Sequence, residues 1–375
     1  MKKFQPHLSR SNWQKLIVKY IFLLIVAYAL IVVIAASQLR LSSIDNALQK
    51  NTLPAATLLT ETFGNENVLF NHVIKEKDRP RSMSHFLLES LTDLRFDDIR
   101  SLFGSELPGF TIYNTKIFYA GKGLNYNNLP QDSPPPAEIK LQAPKPAAPN
   151  KKQQAQTKAN NKLKKVVFIY HTHSWESYLP ALKEKQNGAV SADPAKDVIF
   201  DGQVVGDTLV SKGIGYLQDT SNKNEELRKR GWNYNQAYQY SRIVMQQAIK
   251  KNPSLNYFID IHRDSSGRHL TTAAIGQKSF ARISIIIGEA NPNYSANLFM
   301  AKQVKDTLDK RYPGLVRGIV GKTRNDGNGV YNQDLSKYAI LVEIGGIDNT
   351  LDEVERSSKA LGEALAVFVK QQSRQ

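Results

Sequence analysis

Potential metal ligands stand where two apolar segments of the chain end. His173 and Glu176, separated by two residues, follow the apolar segment Val166–Tyr170, and His262 ends the segment Tyr257–Ile261. Zinc is bound in proteins by Cys, His, Asp and Glu, and this chain has no cysteine. A catalytic zinc needs three protein ligands and an open position for water. The sequence therefore predicts a zinc site at His173, Glu176 and His262.

Each of these residues also has an ordinary interpretation. A single histidine at a strand end is more often a structural hydrogen-bonding group than a ligand, and the second strand ending in histidine is what favours a metal site. Glu176 could instead cap or pair within a loop. His171, two residues before His173, has no assigned role at this point.

Glu343 is a carboxylate inside the apolar segment Ala339–Ile344. An unpaired buried carboxylate costs several kcal/mol, so this one must be partnered, terminal or functional. A carboxylate beside a zinc site can accept the proton of the attacking water. We predict Glu343 as the catalytic general base.

The elements that must position these residues begin at about residue 165. Short apolar runs alternate there with longer amphipathic ones, which predicts an α/β domain with a mostly parallel sheet over residues 165–375. The apolar runs lack two-residue alternation, as expected of strands covered on both faces. Ligands of such sheets sit outside the carboxyl ends of the strands, where the candidate residues lie.

The N-terminal part predicts a membrane anchor. Residues 20–36 contain no charge, and basic residues precede them more densely than they follow. A transmembrane helix is expected at 20–38, with residues 1–19 in the cytoplasm and the rest outside. A cleaved signal peptide is the alternative, but the apolar run is longer than the usual one of about 7–15 residues.

Two regions separate the predicted helix from the predicted catalytic domain. Residues 39–128 form a small extracytoplasmic region, and residues 129–164 form a linker rich in proline and lysine. Much of the net charge of +16 lies in this linker, and no basic helix with base-reading residues accompanies it. The charge therefore favours an anionic cell-surface polymer over nucleic acid as the partner.

Three segments resemble those of the stage II sporulation protein P family, which belongs with the zinc-dependent N-acetylmuramoyl-L-alanine amidases. They are "HTHSWESY", "DIHRDSS" and "YNQDLSKYAILVEIGGIDNTLDE". The resemblance covers most of residues 165–370, and it implies a three-layer, zinc amidase-like fold. In the broader amidases the third zinc ligand is a glutamate near the start of a helix. The corresponding neighbourhood here holds Asp197 and Asp201, so Glu176 is the first choice for third ligand and Asp197 the second.

The resemblance also implies a function. Members of the family are expected to cleave the MurNAc–L-alanine amide of septal peptidoglycan during sporulation engulfment, with some endopeptidase action on cross-links. They are expected to act with stage II sporulation proteins D and M. We predict Arg263 and Asn349 as substrate-binding residues.

Two other functions fit the same residues. A zinc carboxypeptidase acting on wall peptides would use the same ligands and would need an arginine for the terminal carboxylate, for which Arg263 or Arg242 could serve. A non-catalytic scaffold that binds peptidoglycan is the third reading. The intact set of His173, His262 and Glu343 argues against the scaffold.

Overall fold

The computed structural model describes Lys19 and residues 115–131, 133, 151–182, 189–324 and 327–373, with residues 151–154 described by their backbone alone. Within these ranges no helix is long and apolar enough to cross a membrane. The predicted transmembrane segment 20–38 and residues 39–114 lie outside the described part of the chain. The described residues from 115 onward belong to one compact unit.

The described part of the chain contains a seven-stranded sheet and a small two-stranded one. The strands are β1 (Lys116–Ala120), β2 (Lys165–Tyr170), β3 (Gly215–Gln218), β4 (Tyr257–Asp264), β5 (Thr272–Ile275), β6 (Lys278–Ala281), β7 (Ile283–Gly288), β8 (Val316–Lys322) and β9 (Tyr338–Gly346). The helices are α1 (Lys151–Asn161), α2 (Val198–Ser211), α3 (Lys223–Lys229), α4 (Ala237–Lys251), α5 (Arg268–Thr271), α6 (Tyr294–Arg311) and α7 (Leu351–Gln372).

The strand order of the large sheet is β1-β8-β7-β9-β4-β2-β3. Four of its neighbouring pairs are parallel, namely β2 with β3, β2 with β4, β4 with β9, and β7 with β8. The pairs β7 with β9 and β1 with β8 are antiparallel. The predicted α/β class with a mostly parallel sheet is confirmed.

Helices cover both faces of the sheet. On one face, Ile259 and Ile261 of β4 belong to an apolar core that includes residues of α2, α6 and α7. On the other face, Phe258 of β4 packs in a cluster with Met245 of α4. Successive residues of a strand point to opposite faces, so Asp260 and His262 share the face of Phe258. The site therefore lies on the α4 side of the sheet.

The large sheet includes β1, a strand that the sequence analysis did not place in the catalytic domain. β1 lies in the region predicted as separate at 39–128, yet it pairs with β8 along the outer edge of the sheet. Helix α1 lies within the linker predicted at 129–164. β1 and α1 are short or polar segments, and their positions depend on contacts with distant strands. Composition averaged along the chain does not reveal such contacts.

Helix α2 packs closely over the end of β2. Asp197 caps its first turn by accepting a hydrogen bond from the Ile199 amide at 2.9 Å. A Cβ at Gly202 would lie 2.7 Å from the ring of His171 and 2.4 Å from the amide of Gln218. The absence of a side chain at Gly202 therefore allows the helix to approach the strand end that carries the histidines.

Candidate metal centre

The three predicted ligands meet at the carboxyl ends of β2 and β4. His173 and Glu176 lie in the turn after β2, where the Glu176 amide donates to the His173 carbonyl at 3.0 Å. His262 lies near the end of β4, which is the parallel neighbour of β2. One potential ligand atom from each residue lies within 4.8 Å of the others. The group is therefore compact enough to hold one metal ion.

The carboxylate of Glu176 lies between the two imidazole rings. Its Oε1 lies 3.4 Å from Nδ1 of His173, and its Oε2 lies 3.3 Å from Nδ1 of His262. Oε2 also accepts a hydrogen bond from the Arg263 amide at 2.9 Å. This backbone donor holds the carboxylate in place. Both histidines present Nδ1 to that carboxylate.

The unsatisfied atoms of this cluster fit a metal ion. All three side chains are at most 1% exposed. Among the described residues, neither ring nitrogen of His173 forms a hydrogen bond, and Oε1 of Glu176 accepts none. Buried polar atoms normally have partners, so such a cluster calls for an explanation. Two imidazoles and one carboxylate form a ligand set found at catalytic zinc sites.

The charges of the cluster stabilise one another. Burial by itself raises the pKa of Glu176, but His262 and His173 bring that pKa well below its ordinary value. Burial lowers the pKa of His262, while Asp260 and Glu176 raise it well above its ordinary value. Glu176 and His262 therefore favour each other's charged forms.

An aromatic wall of Trp175, Tyr234 and Tyr238 surrounds His173. The ring of His173 stacks on Tyr234 with centroids 4.8 Å apart and on Trp175 at 5.2 Å. Tyr238 lies edge-on to His173 at 5.6 Å and parallel to the ring of His262 at 6.4 Å. Sequence reasoning missed this wall. The signal that could have found it is the density of aromatic residues in "HTHSWESY" and "NYNQAYQY".

Glu343 lies on the strand beside His262. In the parallel pairing of β4 with β9, His262 and Glu343 are register partners, so their side chains share one face of the sheet. On the other side of β9, Glu343 is the register partner of Ser284 in β7. Glu343 is 1% exposed. The tertiary structure thus brings the predicted base to the strand position next to a predicted ligand.

Comparisons with known proteins match both the site and the region before it. Residues 97–366 match the family described as stage II sporulation protein P. The stage II sporulation protein P of Bacillus subtilis (strain 168) is 37% identical over 311 residues, which cover 80% of this chain and 77% of that protein. The chain belongs to the stage II sporulation protein P family.

A solved structure gives a weaker match. Cwp6 from Clostridium difficile is 18% identical and gives a TM-score of 0.34. The match covers 55% of this chain and 29% of that chain, and a TM-score at this level does not establish a shared fold. Membership of the stage II sporulation protein P family therefore stands on sequence, and it supports involvement in sporulation.

The two predicted substrate contacts have partners inside the protein. Asn349 is fully buried, accepts from the Gly346 amide at 2.8 Å and donates to Thr272 at 2.8 Å and to Glu353 at 3.0 Å. Arg263 is 1% exposed and donates to the Asp264 carbonyl at 3.1 Å. Their substrate roles stay predictions, and in this family member both residues hold together the segments that flank the site.

Asp197, the second choice for the third ligand, lies outside the group that could hold a metal ion. One oxygen of Asp197 caps α2, and the residue is absent from the group formed by His173, Glu176 and His262. Asp201 accepts a hydrogen bond from the Tyr178 hydroxyl at 2.6 Å. The geometry therefore favours Glu176 over both aspartates.

Proposed function

We propose that this protein is a zinc-dependent N-acetylmuramoyl-L-alanine amidase that cleaves septal peptidoglycan during sporulation engulfment, with some endopeptidase action on cross-linked peptides. The observation that carries the proposal is the convergence of His173, Glu176 and His262, with Glu343 in register beside His262. Family membership gives the sporulation context.

The ligand residues would have one shared task. His173 and His262 would bind through Nδ1, the nitrogens that already face Glu176, and the Arg263 amide would keep that carboxylate oriented. When bound, zinc would polarise the scissile carbonyl and lower the pKa of a water molecule towards about 7. The aromatic wall around His173 would limit the access of bulk water.

Glu343 would move the proton. Its carboxylate would accept a proton from the attacking water and deliver it to the nitrogen of L-alanine as the amide bond breaks. Val342 and Ile344, which flank Glu343 on β9, are fully buried, and their packing holds this strand in place. A base on a rigid strand keeps its distance from the ligands constant.

The carboxypeptidase reading finds less support. It needs a guanidinium group that can bind a terminal carboxylate of the substrate. Arg242 already forms a paired contact with Asp334, at 2.8 and 2.7 Å. Arg263 is buried and donates to main-chain carbonyls of its own protein. Both guanidinium groups are therefore already engaged by groups of the protein itself.

The test is digestion of purified cell-wall sacculi by the full-length protein, with and without a zinc chelator. New L-alanine amino termini that disappear with the chelator support the amidase. Released D-amino acids would favour the carboxypeptidase, and binding without products would favour a scaffold. His262→Ala is compared with His269→Ala, because His269 is exposed and is not one of the three residues of the cluster.

The proposal includes location and partners. The protein would be anchored by residues 20–38 with its catalytic domain outside the cell membrane, and it would act on peptidoglycan together with stage II sporulation proteins D and M.

Labelling of introduced cysteines tests this topology. Because the chain has no cysteine, a single introduced cysteine is the protein's only thiol, and its labelling shows on which side of the membrane it lies. In intact cells a membrane-impermeant maleimide should label Lys158→Cys, on the exposed side of α1, and spare Lys3→Cys. Labelling of both or of Lys3→Cys alone would contradict this topology.

A further inference from the structure

Asp260 is a buried carboxylate next to the metal-binding group that has no part in the proposed chemistry. It is 0% exposed and lies two residues before His262 on β4, so both side chains share one face of the sheet. Its Oδ1 lies 3.1 Å from Nε2 of His262. The opposite nitrogen, Nδ1, is the one that faces Glu176 at 3.3 Å. The imidazole of His262 is thus held between two carboxylates.

Asp260 also holds the segment that carries the other histidine. Thr172 donates its amide to Oδ1 of Asp260 at 2.9 Å and its hydroxyl to Oδ2 at 2.6 Å. Thr172 directly precedes His173 in the chain. One side chain on β4 therefore connects the end of β2 to the ring of His262, and it touches the surroundings of two of the three predicted ligands.

The chemistry of the contacts suits a carboxylate at this position. Both groups of Thr172 act as donors, so both oxygens of Asp260 act as acceptors. A histidine that binds metal through Nδ1 keeps its proton on Nε2, and that proton needs an acceptor. Metal-bound histidines commonly donate the second ring N–H to a carboxylate, which fixes the tautomer and the orientation of the ring. Oδ1 of Asp260 lies within hydrogen-bonding distance of Nε2, although the two groups are not well aligned.

We propose that Asp260 is a positioning residue that fixes His262 with its proton on Nε2 and its Nδ1 presented to the metal. It also fixes the turn that begins at Thr172. This inference rests on the proposed function only in that the cluster binds zinc, and it does not depend on which bond the protein cleaves.

The substitution Asp260→Asn separates positioning from simple packing. Asparagine has nearly the same shape, but only one of its two terminal atoms is an acceptor. If its NH₂ group faces His262, the ring must accept at Nε2 and carry its proton on Nδ1, where the metal would bind. If the NH₂ group takes the place of Oδ2 instead, the Thr172 hydroxyl can rotate and accept from it, and the carbonyl oxygen left beside His262 is an uncharged, weaker acceptor than a carboxylate. In either orientation the variant keeps the shape of the side chain but loses the charged acceptor of the His262 ring.

The first measurement is zinc affinity of the full-length protein, determined by competition with a chromogenic chelator. We expect Asp260→Asn to bind zinc roughly 10–100-fold more weakly than the wild type. The matched control is Asp201→Asn, which changes another fully buried aspartate whose described partner is Tyr178. The control should keep zinc affinity within a few-fold of the wild type. Equal zinc affinity of folded Asp260→Asn and wild-type protein would overturn the proposal.

The second measurement needs no variant. Histidine labelled with ¹⁵N in the zinc-loaded wild type reports which ring nitrogen of His262 carries the proton. We expect the proton on Nε2 and the metal on Nδ1, and the reverse assignment would overturn the proposal even if Asp260→Asn failed to fold. If Asp260→Asn binds zinc more weakly but the wild type releases no L-alanine termini from sacculi, the positioning role of Asp260 is supported and the amidase proposal is contradicted. The two hypotheses can therefore fail separately.

Discussion

His171 and His173 stand two residues apart and are equally buried, yet their surroundings differ in kind. Nδ1 of His171 lies 3.2 Å from the Ile261 carbonyl, and its Nε2 lies 3.0 Å from the amide nitrogen of Gln218. Burial lowers the pKa of His171 to about 4, so the ring is neutral and both nitrogens are satisfied. Neither ring nitrogen of His173 completes a hydrogen bond within the described part of the chain.

Burial alone therefore does not identify a metal ligand. Gln218 anchors itself by donating to the Ile199 carbonyl at 2.9 Å, and it places its amide group against His171 on the α2 side of the sheet. His173 lies instead against aromatic rings and one carboxylate. A histidine whose neighbours satisfy both nitrogens is structural, whereas one whose neighbours leave nitrogens open can bind a metal.

The largest expected effect separates the two histidines by metal content. His173→Ala should lose zinc and wall hydrolysis, because two protein donors are too few for a catalytic zinc site. His171→Leu should retain zinc, since the described partners of His171 are Gln218 and the Ile261 carbonyl. Zinc content of the purified proteins is measured by atomic absorption. Stoichiometric zinc in His173→Ala would remove the distinction between the two residues.

The next effect is a loss of hydrolysis rate on substitution of Glu343, which lies beside His262 on the α4 side of the sheet. Glu343→Gln keeps the size of the side chain but removes the proton acceptor. Zinc should stay bound, and the hydrolysis rate should fall by roughly a hundredfold or more, as for a lost acid–base group. Turnover on sacculi and zinc content are measured together. Loss of zinc would make Glu343 a ligand, and full zinc with near wild-type turnover would disprove the catalytic assignment.

A smaller effect concerns stability on the α2 side. His171→Leu removes both hydrogen-bonding nitrogens and leaves the Gln218 amide and the Ile261 carbonyl without that partner. The free energy of unfolding should fall by about 1–3 kcal/mol. The control His269→Leu changes an exposed histidine and should stay within about 0.5 kcal/mol of the wild type. Chemical denaturation measures both, and equal stability of the two variants would show that the contacts of His171 add nothing.

The smallest effect is a change in pH dependence. Burial raises the pKa of Asp201 well above its ordinary value, so the folded protein holds this proton more tightly than the unfolded chain. The stability linked to Asp201 is present at low pH and decreases as pH rises above about 4, the ordinary value for aspartate, towards the raised pKa. Asp201→Asn cannot ionise, so its melting temperature should decrease less over that interval. An unchanged pH profile would contradict the shift.

Local patterns accounted for the fold class and for the three predicted ligands. The apolar runs of β2, β4 and β9 lack two-residue alternation, so their strand character and their burial on both faces could be predicted directly. Polar residues at the ends of such runs have few structural explanations, which is why His173, His262 and Glu343 stood out. The turn "HTHSWE" is short, so Glu176 could be expected near His173 even without knowledge of the strand order.

Strand order decided the remainder. Asp260 meets Thr172 because β4 lies beside β2, and Glu343 joins His262 because β9 lies on the other side of β4. The partners of Asn349, the aromatic wall and the pairing of β1 with β8 likewise join residues far apart in the chain. Local periodicity is enough to predict which residue types stand at the ends of the strands. Which ring nitrogens face the carboxylate of Glu176, and which have other partners, depends on the packing of distant segments and is therefore visible only in the folded protein.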